Sequence, residues 1–224
     1  MAVLANCDAG VVSALFVFDM DGTLLPATTA SVALAATLSA GEQLHALEAR
    51  FASGDLDTRG FAAEVHDLFA PLTPEQVTAT FRAARLLDRA ADVFADIRAR
   101  HEHSLVITMS PDFFVRELLT VGADAVHGSR FPVPPYAGVT FDPGGILTPE
   151  DKPRLVTAAL EAAGVGVDRC VAFGDSMSDA PLFRALSHTV AVNADDHLLE
   201  LAAVTYTGDD LWAAYELGRA LLLP

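Results

Sequence analysis

The stretch LFVFDMDGTLL, residues 15–25, is the feature that most constrains the fold. Its apolar run is typical of a strand buried in a parallel sheet, and the run ends in two aspartates, Asp19 and Asp21. Like charges this close repel each other and lose hydration on burial, so the fold must supply something that compensates them. The pattern therefore predicts a buried strand whose carboxyl end reaches a charged site.

Four further apolar runs predict strands of the same kind. They lie at 104–108, 124–129, 170–174 and 189–193. Helical patterns separate most of these runs, and short strands that alternate with helices indicate an α/β fold with a parallel sheet. We expect a Rossmann-like core in which ligands bind beyond the carboxyl ends of the strands, where Asp19, Thr108 and Asp175 lie.

Two of the helical patterns carry boundary signals. The segment FFVRELLTVG places Phe114, Leu118 and Leu119 on one face and ends at Gly122, which is expected to cap the helix. The segment PRLVTAALEAAG opens with Pro153, a residue favoured at the first helical position, and closes with a glycine past the end. Both segments are therefore predicted as single helices of the core.

The chain from residue 26 to about residue 95 has no strand-like run and predicts a helical unit. FAAEVHDLF keeps its large apolar residues on one helical face. TPEQVTATFRAARLL opens with a capping box made of Thr73, Pro74 and Gln76. This unit interrupts the sheet pattern directly after the first strand.

The predicted organisation is a core of residues 12–25 and 96–224, with a small helical cap domain of residues 26–95 inserted into it. The segment 128–152 is rich in proline and glycine and is predicted to contain an irregular hairpin.

Composition limits the partners of the chain. The formal net charge of −16 argues against nucleic acid and anionic membranes, which reward a basic surface. No apolar run is long enough to span a bilayer, and the first residues lack the basic region of a signal peptide, so we expect a soluble, cytoplasmic protein. The two cysteines, Cys7 and Cys170, are expected to be free thiols. The oligomeric state stays open.

Four aspartates would meet at one edge of the sheet if their strands are neighbours: Asp19, Asp21, Asp175 and Asp179. Hard oxygen ligands in small number suit Mg²⁺ bound jointly by protein and phosphate. A carboxylate beside Mg²⁺ can attack phosphorus, and an acid two residues further along can protonate the leaving oxygen and then activate water. The pattern favours phosphoryl chemistry.

Two side chains are candidates for binding the phosphate. The hydroxyl of Thr108 ends the second apolar run, and Lys152 is the one lysine of a chain that has thirteen arginines. A lysine suits phosphate as a compact charge, and the N-terminus of the helix near Pro153 adds to it. Taken alone, Thr108 also fits an ordinary strand end and Lys152 an ordinary surface residue.

These motifs, in this order, resemble those of the haloacid dehalogenase superfamily of aspartate-nucleophile phosphatases. DMDGT looks like the first motif, LVIT like the second, Lys152 falls at the lysine of the third, and GDSMSD looks like the fourth. DMDGT alone also fits a turn, and GDSMSD alone a helix start with Ser178 as N-cap. A helical insert between the first two motifs is similar to the phosphoserine-phosphatase-like branch.

The resemblance implies a role for each aspartate. Asp19 would be the nucleophile and a Mg²⁺ ligand. Asp21 would be the general acid and base and would offer its backbone carbonyl to the metal. Asp175 would complete the protein ligands, and Asp179 would be a further ligand or a support.

The resemblance also implies how the phosphoryl group is held. Thr108 and Lys152 would bind it, with the backbone N–H of Met109 as a further donor. Ser110 is the alternative second-motif residue, although the following Pro111 has no N–H to offer phosphate.

The chain departs from true phosphoserine phosphatases in its cap. The glutamate that grips the substrate ammonium is replaced by Thr28, and the arginine that grips the carboxylate by about Leu68. Arg50, Arg59 and His66 are the polar cap residues considered as candidates for substrate contact, and each also fits a solvated surface position. We therefore expect a small phosphate monoester other than phosphoserine, with a neutral or weakly polar leaving group such as a sugar or an alcohol.

Three alternatives remain. A phosphotransferase or phosphomutase would use the same nucleophile with an alcohol in place of water. A haloacid dehalogenase is disfavoured by Asp21 and the metal motif. A catalytically idle phosphate-binding protein is disfavoured by the intact motif residues.

Overall fold

The computed structural model describes residues 13–26 and 28–223. Cys7 and residue 12, where the predicted core begins, lie outside these residues. Cys170 is buried and forms no disulfide with any described residue.

Six parallel strands form one sheet in the order β3-β2-β1-β4-β5-β6. The strands are β1 Leu15–Phe18, β2 His103–Pro111, β3 Ala125–Ser129, β4 Cys170–Gly174, β5 Thr189–Val192 and β6 Val204–Tyr206. The five predicted strands are confirmed. The sixth strand was missed because three partly exposed residues at a sheet edge form no recognisable period.

Eleven helices occur in the described part of the chain. They are α1 Ala30–Thr37, α2 Gly41–Ala52, α3 Thr58–Phe69, α4 Pro74–Ala83, α5 Ala90–Ala99, α6 Asp112–Val115, α7 Leu118–Val121, α8 Asp151–Ala163, α9 Ala180–Ala185, α10 Asp196–Leu199 and α11 Leu211–Leu221.

The central strand β1 is buried on both faces, which explains its continuous apolar run. Leu15 and Val17 belong to a cluster on one side of the sheet, where α8 contributes Val156. Phe16 and Phe18 point to the other side, into the cluster that contains residues of α5 and α11. Helices that cover both faces leave no solvated side, so every residue of β1 is apolar.

The helical insert between β1 and β2 is confirmed. Helix α1 packs against α2, α3 and α4, and its buried residues join the same apolar cluster as one face of the sheet. The predicted capping box at the start of α4 is present: Thr73 Oγ1 accepts from the N–H of Gln76, and Gln76 Oε1 accepts from the N–H of Thr73.

The cap boundary at residue 95 stays a prediction. It falls inside α5, which packs against β2 and α11 of the core. We propose that the cap ends before Ala90.

Three local predictions were wrong. Segment 128–152 has no antiparallel hairpin among the described residues, because its several prolines cannot donate to a ladder. The segment after β2 forms two short helices, and Leu119 is 47% exposed, since it lies one position round from the buried Leu118. Helix α8 begins at Asp151, two residues before Pro153, which lies in the first turn where its missing N–H costs nothing.

Candidate active site

The strand order brings three predicted site residues to one edge of the sheet. Strand β1 lies between β2 and β4, so the three residues lie on neighbouring parallel strands: Asp19 follows β1, Thr108 lies in the second half of β2, and Asp175 follows β4. The N–H of Asp19 donates to the carbonyl of Phe173 on β4 at 2.9 Å, which extends the pairing up to the site. Neighbouring strand ends thus create the convergence that the sequence predicted.

The only lysine of the chain is buried in this site, 1% exposed. Lys152 Nζ donates to Asp19 Oδ1 at 2.7 Å and to Asp179 Oδ1 at 2.6 Å. Burial alone lowers the pKa of Lys152, but the two carboxylates more than offset this and raise it above its ordinary value. Lys152 is therefore a charged counter-ion for the aspartates rather than a surface residue.

Asp179 organises the loop after β4. Its Oδ2 accepts from the N–H groups of Asp175 at 3.1 Å and Ser176 at 3.4 Å. A side chain on Gly174 would place Cβ 2.5 Å from the Asp179 carboxyl, so this approach needs a glycine. The residue before α9 is Asp179 itself, so Ser178 is not the N-cap; its hydroxyl lies 3.4 Å from Lys152 Nζ.

Three carboxylates in the site could hold a metal ion. One oxygen each from Asp19, Asp175 and Asp179 lies within 4.8 Å of the others, and a single lysine faces them. Burial raises the pKa of Asp19 well above its usual range, and burial together with Asp179 raises that of Asp175 to about 7. These residues offer only oxygen ligands and carry more negative than positive charge, which fits a hard divalent cation such as Mg²⁺.

Asp21 lies beside this group and is held by three donors. Its Oδ2 accepts from Thr108 Oγ1 at 2.9 Å and from Ser110 Oγ at 2.7 Å. Its Oδ1 accepts from the N–H of Ala30 at 2.6 Å, which is the first residue of the cap helix α1. Both hydroxyls considered for the second motif therefore contact the same carboxylate, and the choice between them stays open. Met109 lies between them and lines the cavity above the site.

Two supporting residues in the first motif received no site role from the sequence. Thr23 Oγ1 donates to Asp175 Oδ1 at 2.9 Å. Gly22 has φ +83°, and a Cβ there would lie 2.1 Å from Asp175 Oδ2. Both residues belong to DMDGT, but only the folded chain brings them against a residue from β4.

A cavity of about 370 Å³ opens above the aspartates. Its floor is formed by residues at the strand ends, and its roof by cap helices and by the loop after β3. The roof residues are Thr29, Ser31, Glu48, Phe51, Thr58, Phe61, Ala62, Val65, Phe131 and Ile146. No lysine, arginine or histidine lines this cavity in the described part of the chain.

The polar cap residues selected from the sequence lie elsewhere. Arg50 pairs with Glu64 at 3.4 Å on the surface, and Arg59 donates to the carbonyl of Pro143 at 3.3 Å. His66 is buried beside Phe131, Tyr136 and Phe141. Neither these three residues nor Thr28 and Leu68 line the cavity.

Within the described residues, no helix combines the length and the hydropathy that a membrane crossing requires.

Comparison with known proteins identifies the family of this chain and relatives that share its fold. The sequence pattern of haloacid dehalogenase-like hydrolases matches residues 16–184. A phosphoserine phosphatase of Halobacterium salinarum is 29% identical over 182 residues, which are 80% of this chain and 85% of that protein. A substrate-bound phosphoserine phosphatase structure superposes with a TM-score of 0.75 at 19% identity, over 91% of this chain and 97% of that one. The structure of a HAD family hydrolase of Salmonella enterica superposes with a TM-score of 0.78 at 18% identity, over 91% of this chain and 72% of that one.

Proposed function

This chain belongs to the haloacid dehalogenase-like hydrolases, and on that premise we propose that it is a Mg²⁺-dependent phosphatase that hydrolyses a small phosphate monoester through an aspartyl-phosphate. The observation that carries the proposal is the placement of Asp19. Its carboxylate lines the cavity at the end of the central strand, contacts the buried Lys152, and lies close to two further aspartates.

The first step transfers the phosphoryl group to the protein. A carboxylate oxygen of Asp19 attacks phosphorus while the ester P–O bond breaks, and Asp21 gives its proton to the leaving oxygen. To do so, Asp21 exchanges one of its contacts with Thr108, Ser110 or Ala30 for the substrate oxygen.

The second step releases phosphate. Asp21 takes a proton from water, the water oxygen attacks phosphorus, and the bond from phosphorus to Asp19 breaks. Inorganic phosphate leaves, and both carboxyl groups return to their starting states.

Lys152, Thr108 or Ser110, and the N–H of Met109 are proposed to hold the phosphoryl oxygens. Lys152 is positioned by Asp19 and Asp179, so its charge is fixed before substrate arrives.

The metal would be held by Asp19, Asp175 and Asp179, with the backbone carbonyl of Asp21 as a further ligand. When bound, Mg²⁺ supplies positive charge that offsets the charge on the phosphoryl oxygens. Thr23 and Gly22 are proposed to orient Asp175 toward this site.

We also propose that phosphoserine is not the preferred substrate, although relatives carry the name phosphoserine phosphatase. A carboxylate-bearing leaving group needs a cationic partner, and no arginine or lysine lines the described cavity. Phosphoserine is therefore the reference substrate against which other monoesters should be compared.

The direct test is Mg²⁺-dependent hydrolysis of p-nitrophenyl phosphate by the purified chain and by Asp19→Asn. The amide nearly matches the carboxylate in size but cannot form the phosphoenzyme, so activity should fall to less than about a hundredth. Asp92→Asn is the matched control, because Asp92 is exposed and pairs with Arg89 away from the cavity. Retention of activity by Asp19→Asn would overturn the mechanism. Radiolabelled phosphate recovered in an added alcohol would indicate a phosphotransferase.

A further inference from the structure

Among the residues that the structure describes, one charged side chain lines the cap half of the cavity, Glu48 of α2. Glu48 is half-buried, and its carboxylate has no hydrogen bond or ion pair with any residue that the structure describes. Because no described side chain neutralises this carboxylate, it is available to pair with a positively charged group of a ligand.

Two aromatic rings line the same cavity as this carboxylate. Phe51 follows Glu48 by three residues on α2, so the two side chains share one helical face. Phe61 of α3 lines the same cavity, with its ring centroid 5.3 Å from that of Phe51 and the ring planes inclined by 44°. Phe51 remains 42% exposed. An accessible aromatic pair that shares a cavity with a carboxylate offers the faces and the charge that an organic cation prefers.

The floor of the cavity strengthens this preference. Its ionisable lining groups are Asp19, Asp21 and Asp175, and Lys152, which pairs with Asp19, does not line the cavity. A leaving group that carries a carboxylate would meet only negative charge in the cap, whereas a cationic one would be attracted.

We propose that the cap half of the cavity binds a cationic leaving group, so that the substrates are monophosphate esters of amino alcohols without a carboxylate. The ammonium group lies between the Glu48 carboxylate and the faces of Phe51 and Phe61. A cavity of about 370 Å³ accommodates a phosphoryl group and a short amino alcohol together. This inference rests on the proposed phosphatase function and replaces the neutral leaving group expected from the sequence.

The test compares phosphocholine with 3,3-dimethylbutyl phosphate, which has the same shape and no positive charge. The kcat/KM of the wild-type chain should be at least about tenfold higher for phosphocholine, because a cation between a carboxylate and aromatic faces gains this much or more. Phosphoethanolamine should likewise exceed phosphoserine.

Glu48→Gln should lower the ratio of the two kcat/KM values about tenfold, and Phe51→Leu about threefold. Glu42→Gln is the matched control, since Glu42 is exposed on the same helix and does not line the cavity. It should leave the ratio and the aryl phosphate activity unchanged. A wild-type ratio near one, or an unchanged ratio in Glu48→Gln, overturns the inference while the phosphatase function stands.

A binding measurement separates the two proposals. Calorimetry on Asp19→Asn with Mg²⁺ should give tighter binding of phosphocholine than of the neutral ester, and Glu48→Gln in the same background should abolish the difference. If no monoester is hydrolysed, the proposed function fails, and equal binding of the two esters then also overturns the cation site.

Discussion

Replacing Lys152 by methionine should lower the free energy of unfolding far more than the same replacement of an exposed arginine. Methionine keeps the length of the side chain but removes the charge. Lys152 is 1% exposed, and its Nζ lies 2.7 Å from Asp19 Oδ1 and 2.6 Å from Asp179 Oδ1. Both carboxylates would lose their cation in a site that also holds Asp175.

The expected loss of stability follows from the burial of Lys152 and its two aspartate partners. Removing one partner of a buried ion pair costs about 3–5 kcal/mol, because the remaining charge stays buried without compensation. Burial already raises the pKa of Asp19, so protonation of a carboxyl group relieves part of the penalty. We therefore expect a loss near the lower bound, about 3 kcal/mol at pH 7.5 without divalent ions.

The loss should depend on pH with a definite sign. In the variant the folded state keeps protons on its carboxyl groups at pH values where the unfolded chain has released them. Stability is therefore gained as the pH falls and lost as it rises through the folded pKa, which for Asp175 is about 7 even in the wild type. The difference in free energy of unfolding between Lys152→Met and the wild type should therefore become smaller as the pH falls from 7.5 to 5.5.

Urea unfolding followed by circular dichroism, with chelator present, measures this difference. Arg154→Met is the matched control: Arg154 lies on the same helix, its side chain is 69% exposed, and it pairs with Asp151. That exposed pair should contribute less than about 1 kcal/mol. Equal losses in the two variants, or a loss in Lys152→Met that grows as the pH falls, would refute the reasoning.

Three further predictions concern the site and the core. Gly22 and Gly54 have φ +83° and +82°, but only a Cβ at Gly22 would meet Asp175, at 2.1 Å. Gly54→Ala should lower the free energy of unfolding in urea by about 1 kcal/mol, and Gly22→Ala should lower it clearly more and reduce hydrolysis at least about tenfold. Equal losses of stability in the two variants would contradict the contact. Chelation should stop aryl phosphate hydrolysis, Mg²⁺ should restore it and Ca²⁺ should do so poorly, whereas full activity in excess chelator would exclude the metal. Burial raises the pKa of the Cys170 thiol to about 12, so in a Cys7→Ser background a thiol reagent at pH 8 should react only after unfolding; rapid labelling of the folded chain would contradict this burial.

Much of this protein follows from local patterns in the chain. The apolar run before Asp19 predicts a strand buried on both faces because each of its residues has to pack against a covering helix. The capping box at Thr73 and Gln76 predicts the start of α4 because its hydrogen bonds join residues only three positions apart. The sequence did not predict the strand order. It did predict that the strand ends converge, because ligand sites in parallel sheets lie at the carboxyl ends of the strands.

The cap pocket was decided by tertiary structure alone. Glu48 lines the cavity and Arg50 does not, although they lie two residues apart on α2. Two residues correspond to a rotation of about 200° round a helix axis, so the packing of the helix decides which of them faces the substrate. Thr23 contacts Asp175, and Lys152 contacts Asp19, although more than a hundred residues separate the partners in the sequence. Local sequence periodicity cannot predict such contacts. Local hydrogen bonding and periodicity thus determined the elements and the catalytic edge, whereas the rotation of packed helices and long-range contacts decided the charge of the pocket above it.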